Sequence, residues 1–259
     1  MKILDSFLGC SSVVLVKFWR IMTINFWLFT LLTLALVALI GYGTYATARL
    51  LREWQPDRNL LLLPAENLLR LVLIGVCVIL GYLSGVPTIQ LGWFFPQIGR
   101  QLFWGSVWGV VLALFFYGST QWLVHSTGQR FYSSAVIQAI TPRNARELLL
   151  VLLAMAPVVV LEELLFRSLL IGGFTALIPL PLLVISWSVI FGLLHSPQGV
   201  WGMIGAGLGG FVLSLLFVMQ GSLLLPLVAH YITNALQVVQ SMRLSYAESR
   251  STNGEGRVP

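Results

Sequence analysis

Two adjacent glutamates and an arginine lie inside an apolar segment, where charged side chains are energetically costly. Residues 148–174 contain Glu162, Glu163 and Arg167, and as a helix this segment is long enough to cross a hydrocarbon layer of about 30 Å. A charge at the centre of such a helix costs roughly 2.5 to 3.5 kcal/mol, so these side chains must face protein or trapped water. Intramembrane charges indicate a functional site, with a cluster that only fixes helix packing as the alternative.

Helical spacing assigns different positions to the three charged residues. Glu163 and Arg167 are four residues apart, so they share one helix face and can form an ion pair. Glu162 lies about 100° further round the helix. It is therefore the carboxylate left for chemistry, and it can accept a proton from water as a general base.

Two of the three histidines occur downstream, in later apolar segments. Phe191 and His195 are four residues apart, as are His230 and Asn234, so each pair shares a helix face. Three polar clusters in successive segments indicate one shared cavity. In it, His195 can orient a water molecule or pass on its proton, and His230 with Asn234 can donate hydrogen bonds to an oxyanion. The residues therefore predict hydrolysis by an activated water.

Together the three clusters resemble the motifs of the CPBP family, the CAAX proteases and bacteriocin-processing enzymes, also called Abi or type II CAAX endopeptidases. The matching residues, within about 142–241, are Glu162-Glu163-x-x-x-Arg167, Phe191-x-x-x-His195 and His230-x-x-x-Asn234. The resemblance implies a helical intramembrane endopeptidase in which Glu162 and His195 activate the water. It also implies that His230 and Asn234 form the oxyanion site.

The resemblance assigns Glu163 and Arg167 to the architecture of the site, and we group Phe191 with them as a supporting residue. Eukaryotic relatives remove the last three residues of prenylated CAAX proteins, whereas some prokaryotic members are tied to bacteriocin immunity or act as membrane adaptors. We therefore expect a membrane-associated protein or peptide as substrate, with a lipidated one among the alternatives. A non-catalytic adaptor or immunity protein is the competing function.

Glu162, His195 and His230 also make a formal set of two histidines and one carboxylate, which catalytic zinc sites use. The glutamate–water mechanism needs no metal, and the sequence has no His-Glu-x-x-His pair. We therefore predict no metal or other cofactor, with a zinc-dependent protease as the alternative. The only aspartates, Asp5 and Asp57, lie outside the predicted spans, which excludes a two-aspartate intramembrane protease.

Composition indicates a polytopic membrane protein with an all-α fold. Of 259 residues, 58% are hydrophobic and only 9% are charged, which is typical of a bundle of transmembrane helices. Seven spans are predicted, and residues 3–19 fit a helix lying in the interface, with a short eighth span as the alternative. The predicted spans are residues 24–48, 68–86, 102–124, 148–174, 182–195, 200–219 and 223–242.

We divide the chain into N-terminal transmembrane helices (1–141), a catalytic core (142–241) and a disordered polar tail (242–259). The net charge of +6 reflects Lys and Arg in the connections, so we expect the lipid bilayer as a partner and no nucleic acid. Their uneven distribution between the two sides favours a cytoplasmic C-terminus. In the sixth span, the small residues Gly202, Ala206 and Gly210 should let helices approach closely.

Overall fold

A computed structural model describes residues 23–53, 58–128, 131, 133 and 135–254, and these residues form helices and their connections without strands. Eight α-helices follow one another in this part of the chain, joined in places by short 3₁₀ and π segments. The all-α prediction is therefore confirmed. In chain order the α-helices are α1 Ile24–Glu53, α2 Pro64–Leu83, α3 Ile98–Thr127, α4 Ala135–Ile140, α5 Ala145–Glu163, α6 Leu180–Leu193, α7 Gly199–Gln220 and α8 Leu224–Gly254.

Each of the seven predicted apolar segments is helical over most of its length, and five of them are long and apolar enough to cross a membrane. The exceptions are α6, whose 14 residues span only roughly 21 Å, and α8, whose apolar part is interrupted by polar residues such as His230 and Asn234. The predicted interface helix at residues 3–19 lies outside the described residues. The five are Ile24–Leu50, Pro64–Leu83, Ile98–Thr127, Ala145–Ala176 and Ser196–Gln220.

The segment with the two glutamates does not continue as one α-helix, as residues 148–174 were predicted to do. A π-helix takes over at Leu164–Gly172, and all nine of its residues are buried. The connection between α2 and α3 packs directly on it: the Ser168 hydroxyl donates to the carbonyl of Leu91 at 2.7 Å. π-Helical turns inside α-helices are frequently found at functional sites, and this one begins directly after Glu163.

Helices α3 and α8 pack backbone against backbone. A Cβ atom added at Gly109 would lie 2.6 Å from the Cβ of Ile232, and one at Gly105 would be similarly crowded by α8. The Thr233 hydroxyl donates to the carbonyl of Gly109 at 3.1 Å. Small residues of this kind let membrane helices approach closely. Here they fix the position of the helix that carries the third motif.

Of the three small residues of α7 that were predicted to let helices approach closely, only two lie at such contacts. A Cβ atom at Gly210 would lie 3.0 Å from the ring of Phe191, so α7 approaches the second motif closely at this point. Ala206 packs against the main core cluster. The space beside Gly202, by contrast, is occupied by Gln198 from the preceding turn, so Gly202 serves no contact between helices.

Helix α8 continues to Gly254, whereas residues from 242 onward were predicted to be disordered. Extending an existing helix adds one hydrogen bond per residue without a new nucleation step. The hydroxyl of Tyr246 also donates to the carbonyl of Arg143 at 2.7 Å, which ties this part of α8 to the chain just before α5. The domain boundaries at 141 and 241 stay predictions.

Candidate active site

The side chains of Glu163 and Arg167 form a buried ion pair, as their spacing predicted. Arg167 Nη1 lies 3.0 Å from Glu163 Oε1, with side-chain exposures of 1% and 0%. Nη2 donates to the carbonyl of Gly210 at 3.1 Å, and the guanidinium carbon lies 4.9 Å from the ring centre of Phe191. Arg167 is therefore surrounded by protein rather than by lipid.

This ion pair is incompletely hydrogen-bonded. Glu163 Oε2 and Arg167 Nε have no hydrogen-bond partner among the described residues, and Nη1 meets Glu163 at ion-pair distance without hydrogen-bond geometry. Electrostatic attraction therefore contributes more to this ion pair than hydrogen bonding does. A buried pair of this kind is sensitive to the loss of either member, since the survivor would be an uncompensated charge.

His230 lies between the two glutamates, and this contact was not predicted. Its Nδ1 is 2.8 Å from Glu163 Oε1, and its Nε2 is 3.5 Å from Glu162 Oε2. Glu163, paired with Arg167, is a carboxylate and accepts this hydrogen bond, so Nδ1 of His230 carries the proton. Nε2 then faces Glu162, and it can act as a donor only when the ring carries a second proton.

The two adjacent carboxylates differ in accessibility. The Glu162 side chain is 27% exposed, whereas that of Glu163 is completely buried. Helical geometry places Glu162 on a neighbouring face of the same turn, beyond the reach of the ion pair formed by Glu163. Glu162 is thus the carboxylate that a water molecule or a substrate can approach.

His195 lies just beyond the end of α6, not within the helix as residues 182–195 were predicted to be. The helix ends at Leu193, and His195 Nδ1 is 2.7 Å from the carbonyl oxygen of Phe191. A carbonyl oxygen can only accept, so the proton of the neutral ring is on Nδ1. Nε2 of this half-buried histidine therefore keeps its lone pair for a water molecule or a proton.

Phe191 is the common neighbour of the three motifs. Its ring centre is 4.7 Å from that of His195, 6.1 Å from that of His230 and 4.9 Å from the guanidinium of Arg167. The ring itself is buried. Asn234 is half-buried on α8, one turn after His230. His230 thus lies next to Glu162. His195 does not contact either of them among the described contacts, and Phe191 lies between His195 and His230.

Sequence reasoning missed Arg70, which lies inside the apolar helix α2. Its side chain is only 17% exposed, and it interacts electrostatically with Glu162, as Arg167 also does. The signal was visible in the sequence. Arg70 is the only charged residue of the predicted span 68–86, and the rule that selected Arg167 applies to it equally.

A zinc site would need three ligand side chains, the predicted set being Glu162, His195 and His230, to converge on one point. Within the described ranges, no three His, Cys, Asp or Glu residues are grouped so that they could hold a metal ion. Glu162, His195 and His230 therefore do not form a ligand set in this conformation. The absence of a cofactor stays a prediction.

Comparison with known protein families gives a match to part of the chain. Residues 144–236 match the family model described as type II CAAX prenyl endopeptidase Rce1-like. This range contains all three motifs and agrees with the resemblance seen in the sequence. No curated protein and no solved structure matches the chain.

Proposed function

Since residues 144–236 match the family model described as type II CAAX prenyl endopeptidase Rce1-like, we propose that this integral membrane protein hydrolyses a peptide bond of a membrane-associated protein or peptide. The observation that carries the proposal is the position of His230, 2.8 Å from Glu163 and 3.5 Å from Glu162. A histidine that is held by one buried carboxylate can donate a hydrogen bond to an oxyanion, and the second, accessible carboxylate beside it can accept a proton from water.

Glu162 is the proposed general base. Its carboxylate accepts a proton from a water molecule as the water oxygen attacks the carbonyl carbon of the scissile bond. The half-buried His195 has Nε2 available, so it is the proposed carrier of the proton to the leaving amine, and its contact with Phe191, which also lies beside His230, supports a place at the site. The exposed fraction of Glu162 supports this assignment, because water must reach the base.

His230 and Asn234 are the proposed donors to the oxyanion that forms on the carbonyl oxygen. The Asn234 amide donates through its nitrogen. Because Nδ1 of His230 already donates to Glu163, this histidine reaches the oxyanion only through a protonated Nε2. In this role both ring nitrogens of His230 donate, Nδ1 to Glu163 and Nε2 to the oxyanion.

The substrate is proposed only as a class: a peptide segment at or in the membrane, with a lipidated chain as one alternative. The C-terminus is proposed to be cytoplasmic, because Lys and Arg are more frequent in the connections on that side. A fluorescent protein fused after the last residue should then fluoresce in intact cells. A secreted phosphatase at the same position should be inactive.

The decisive experiment compares peptide hydrolysis by the purified wild type, Glu162→Gln and Glu53→Gln in proteoliposomes, with a peptide library as probe. Glu53 is exposed at the end of α1 and controls for the loss of one carboxylate. Wild type and Glu53→Gln should cleave, and Glu162→Gln should be folded but inactive, because an amide cannot accept the water's proton. Equal cleavage by Glu162→Gln would refute the base, and a wild type that cleaves no peptide would favour the adaptor function.

The proposed mechanism is independent of metal, and this gives a second prediction. Prolonged chelation of the purified protein should leave peptide hydrolysis unchanged, because Glu162 supplies the base and His230 with Asn234 supply the oxyanion donors. Elemental analysis should find well under one zinc per chain. Activity that is lost on chelation and restored by stoichiometric zinc would establish the zinc-dependent alternative instead.

A further inference from the structure

Arg70 is a charged side chain in the bundle whose visible partners are weak. It lies six residues after Pro64, the first residue of α2, and thus roughly 9 Å along the helix. Its Nη2 is 3.7 Å from Glu66 Oε2, and its Nη1 donates to Asn67 Oδ1 at 3.1 Å. The Glu66 side chain is 51% exposed, and ion pairs as long and open as this one contribute little.

The arginine faces the bundle rather than its outer surface. Arg70 shares its helix face with Ile74 and Cys77, which belong to the main core cluster, and α2 packs against α5. Only 17% of the Arg70 side chain is exposed. An arginine that merely reached for the lipid headgroups would instead extend away from the core.

Arg70 and Glu162 interact electrostatically without touching. Arg70 is attracted by the charge of Glu66 and, more weakly, by that of Glu162, and neither an ion pair nor a hydrogen bond joins Arg70 to Glu162 within the described part of the chain. Both side chains are partly exposed. The turn before α2 packs against α5, and α2 itself packs against α5 and against the π-helix that follows Glu163, so α2 runs alongside α5 and brings Arg70 into the neighbourhood of Glu162.

We propose that Arg70 binds a carboxylate of the substrate beside the scissile bond, so that the protein selects peptides with a negative charge close to the cleavage site. This inference rests on the proposed peptidase function. The planar guanidinium matches a carboxylate with two parallel hydrogen bonds. A carboxylate inside the membrane needs such a partner, because an unpaired charge there is costly. Arg70 can exchange its long contact with the half-exposed Glu66 for this one.

The carboxylate can come from two sources, which matched peptides distinguish. The best-cleaved library peptide is prepared with a free C-terminal carboxylate or a C-terminal amide, and with Glu or Gln at an internal position near the cleavage site. Wild type should prefer the charged member of one pair by about 10- to 100-fold in kcat/KM, as expected for a hydrogen-bonded charge pair. The pair that shows the preference identifies the source.

Arg70→Gln should lower this preference to about 1, and Arg70→Lys should retain part of it, because a lysine keeps the charge but loses the planar fork. The preference is the kcat/KM for the charged peptide divided by that for the neutral peptide, both measured on the same variant. Differences between variants in the fraction of folded protein therefore cancel. Arg100→Gln removes one positive charge from an exposed position on α3 and should keep the wild-type preference.

The outcomes separate this inference from the proposed function. If wild type cleaves charged and neutral peptides equally, or if Arg70→Gln keeps the preference, Arg70 does not bind the substrate carboxylate although the peptidase function stands. If wild type cleaves none of the peptides, both proposals are refuted. A preference that disappears in Arg70→Gln and persists in Arg100→Gln establishes the inference.

Discussion

At the scale of single residues, the three motifs converge through contacts that no one motif specifies. Spacing along one helix was sufficient to predict the pair of Glu163 and Arg167, because residues four apart meet whatever the rest of the fold does. The contact of His230 with both glutamates depends on how α8 is placed against α5. Glu163 consequently has two tasks, pairing Arg167 and orienting His230, where the sequence indicated only the first.

The oxyanion assignment predicts different behaviour for its two donors. Asn234→Ala should lower kcat by about 10²- to 10³-fold with little change in KM, because the hydrogen bond acts mainly in the transition state. His230→Ala should reduce turnover as well, and it should also lower the melting temperature, because it removes the buried bond to Glu163. Steady-state kinetics and thermal unfolding of both variants measure this.

The double variant of His230 and Asn234 supplies the control. Two donors that serve one developing charge act as a unit, so the double variant should lose less activity than the product of the single losses. If Asn234→Ala changes only KM, then Asn234 binds the substrate in its ground state, and the oxyanion role is wrong.

The buried ion pair leads to a stability prediction. Arg167→Ala should destabilise the protein by about 3 to 5 kcal/mol, because it leaves Glu163 uncompensated in a dry environment. The exposed Arg100 is a matched control: Arg100→Ala should change stability by no more than about 0.5 kcal/mol. Unfolding of both variants in the same detergent compares them, and equal stability would mean that the ion pair does not support the fold.

At the scale of helices, sequence reasoning located the elements but not how they meet. Apolar length predicted each of the long helices, because a span needs about 20 such residues, but not the six-residue helix α4. Two features had no local signal. The sequence of Leu164–Gly172 does not differ visibly from that of an α-helix, although the segment is a π-helix. The role of Gly105 and Gly109 is visible only once α8 is packed against α3. The tail was misjudged because a polar sequence is a poor guide where a long helix already precedes it.

The contact of α3 with α8 predicts a distant effect on the site. A methyl group at Gly109 would lie 2.6 Å from the Cβ of Ile232 and 2.8 Å from the backbone carbonyl of Ala229, so Gly109→Ala should push α8 away. His230, next to Ala229, would then shift relative to the glutamates. We expect at least a 10-fold loss of peptidase activity, since displacements of about 1 Å can cost about 10² in rate.

Gly118 on the same helix is the matched control for this substitution. Nothing lies within 4 Å of the position that its Cβ would take, so Gly118→Ala should keep full activity and stability. Loss of activity in both variants would show that α3 tolerates no larger side chain for reasons unrelated to α8. Full activity in Gly109→Ala would mean that this close contact does not position His230.

At the scale of the whole molecule, we expect the site to depend on both parts of the chain. The family match covers only residues 144–236, and every motif residue lies within it. Yet α3 and Arg70 both belong to the first 141 residues. Helix α3 packs closely against the helix that carries His230, and Arg70 is attracted by the charge of Glu162. Those residues carry no motif, and we expect them to support the site.

This dependence can be tested by dividing the chain between α3 and α4, at residues 130 and 131. Fragments 1–130 and 131–259 should restore hydrolysis when co-expressed, because contacts between membrane helices form without a covalent link between them. Each fragment alone should be inactive, since 131–259 contains all three motifs but lacks α3 and Arg70. The co-expressed pair should also lose activity when Gly109→Ala is introduced in the first fragment, which shows that the restored contact is that of α3 with α8. Hydrolysis by fragment 131–259 alone would instead establish the predicted core at 142–241 as a self-sufficient catalytic domain.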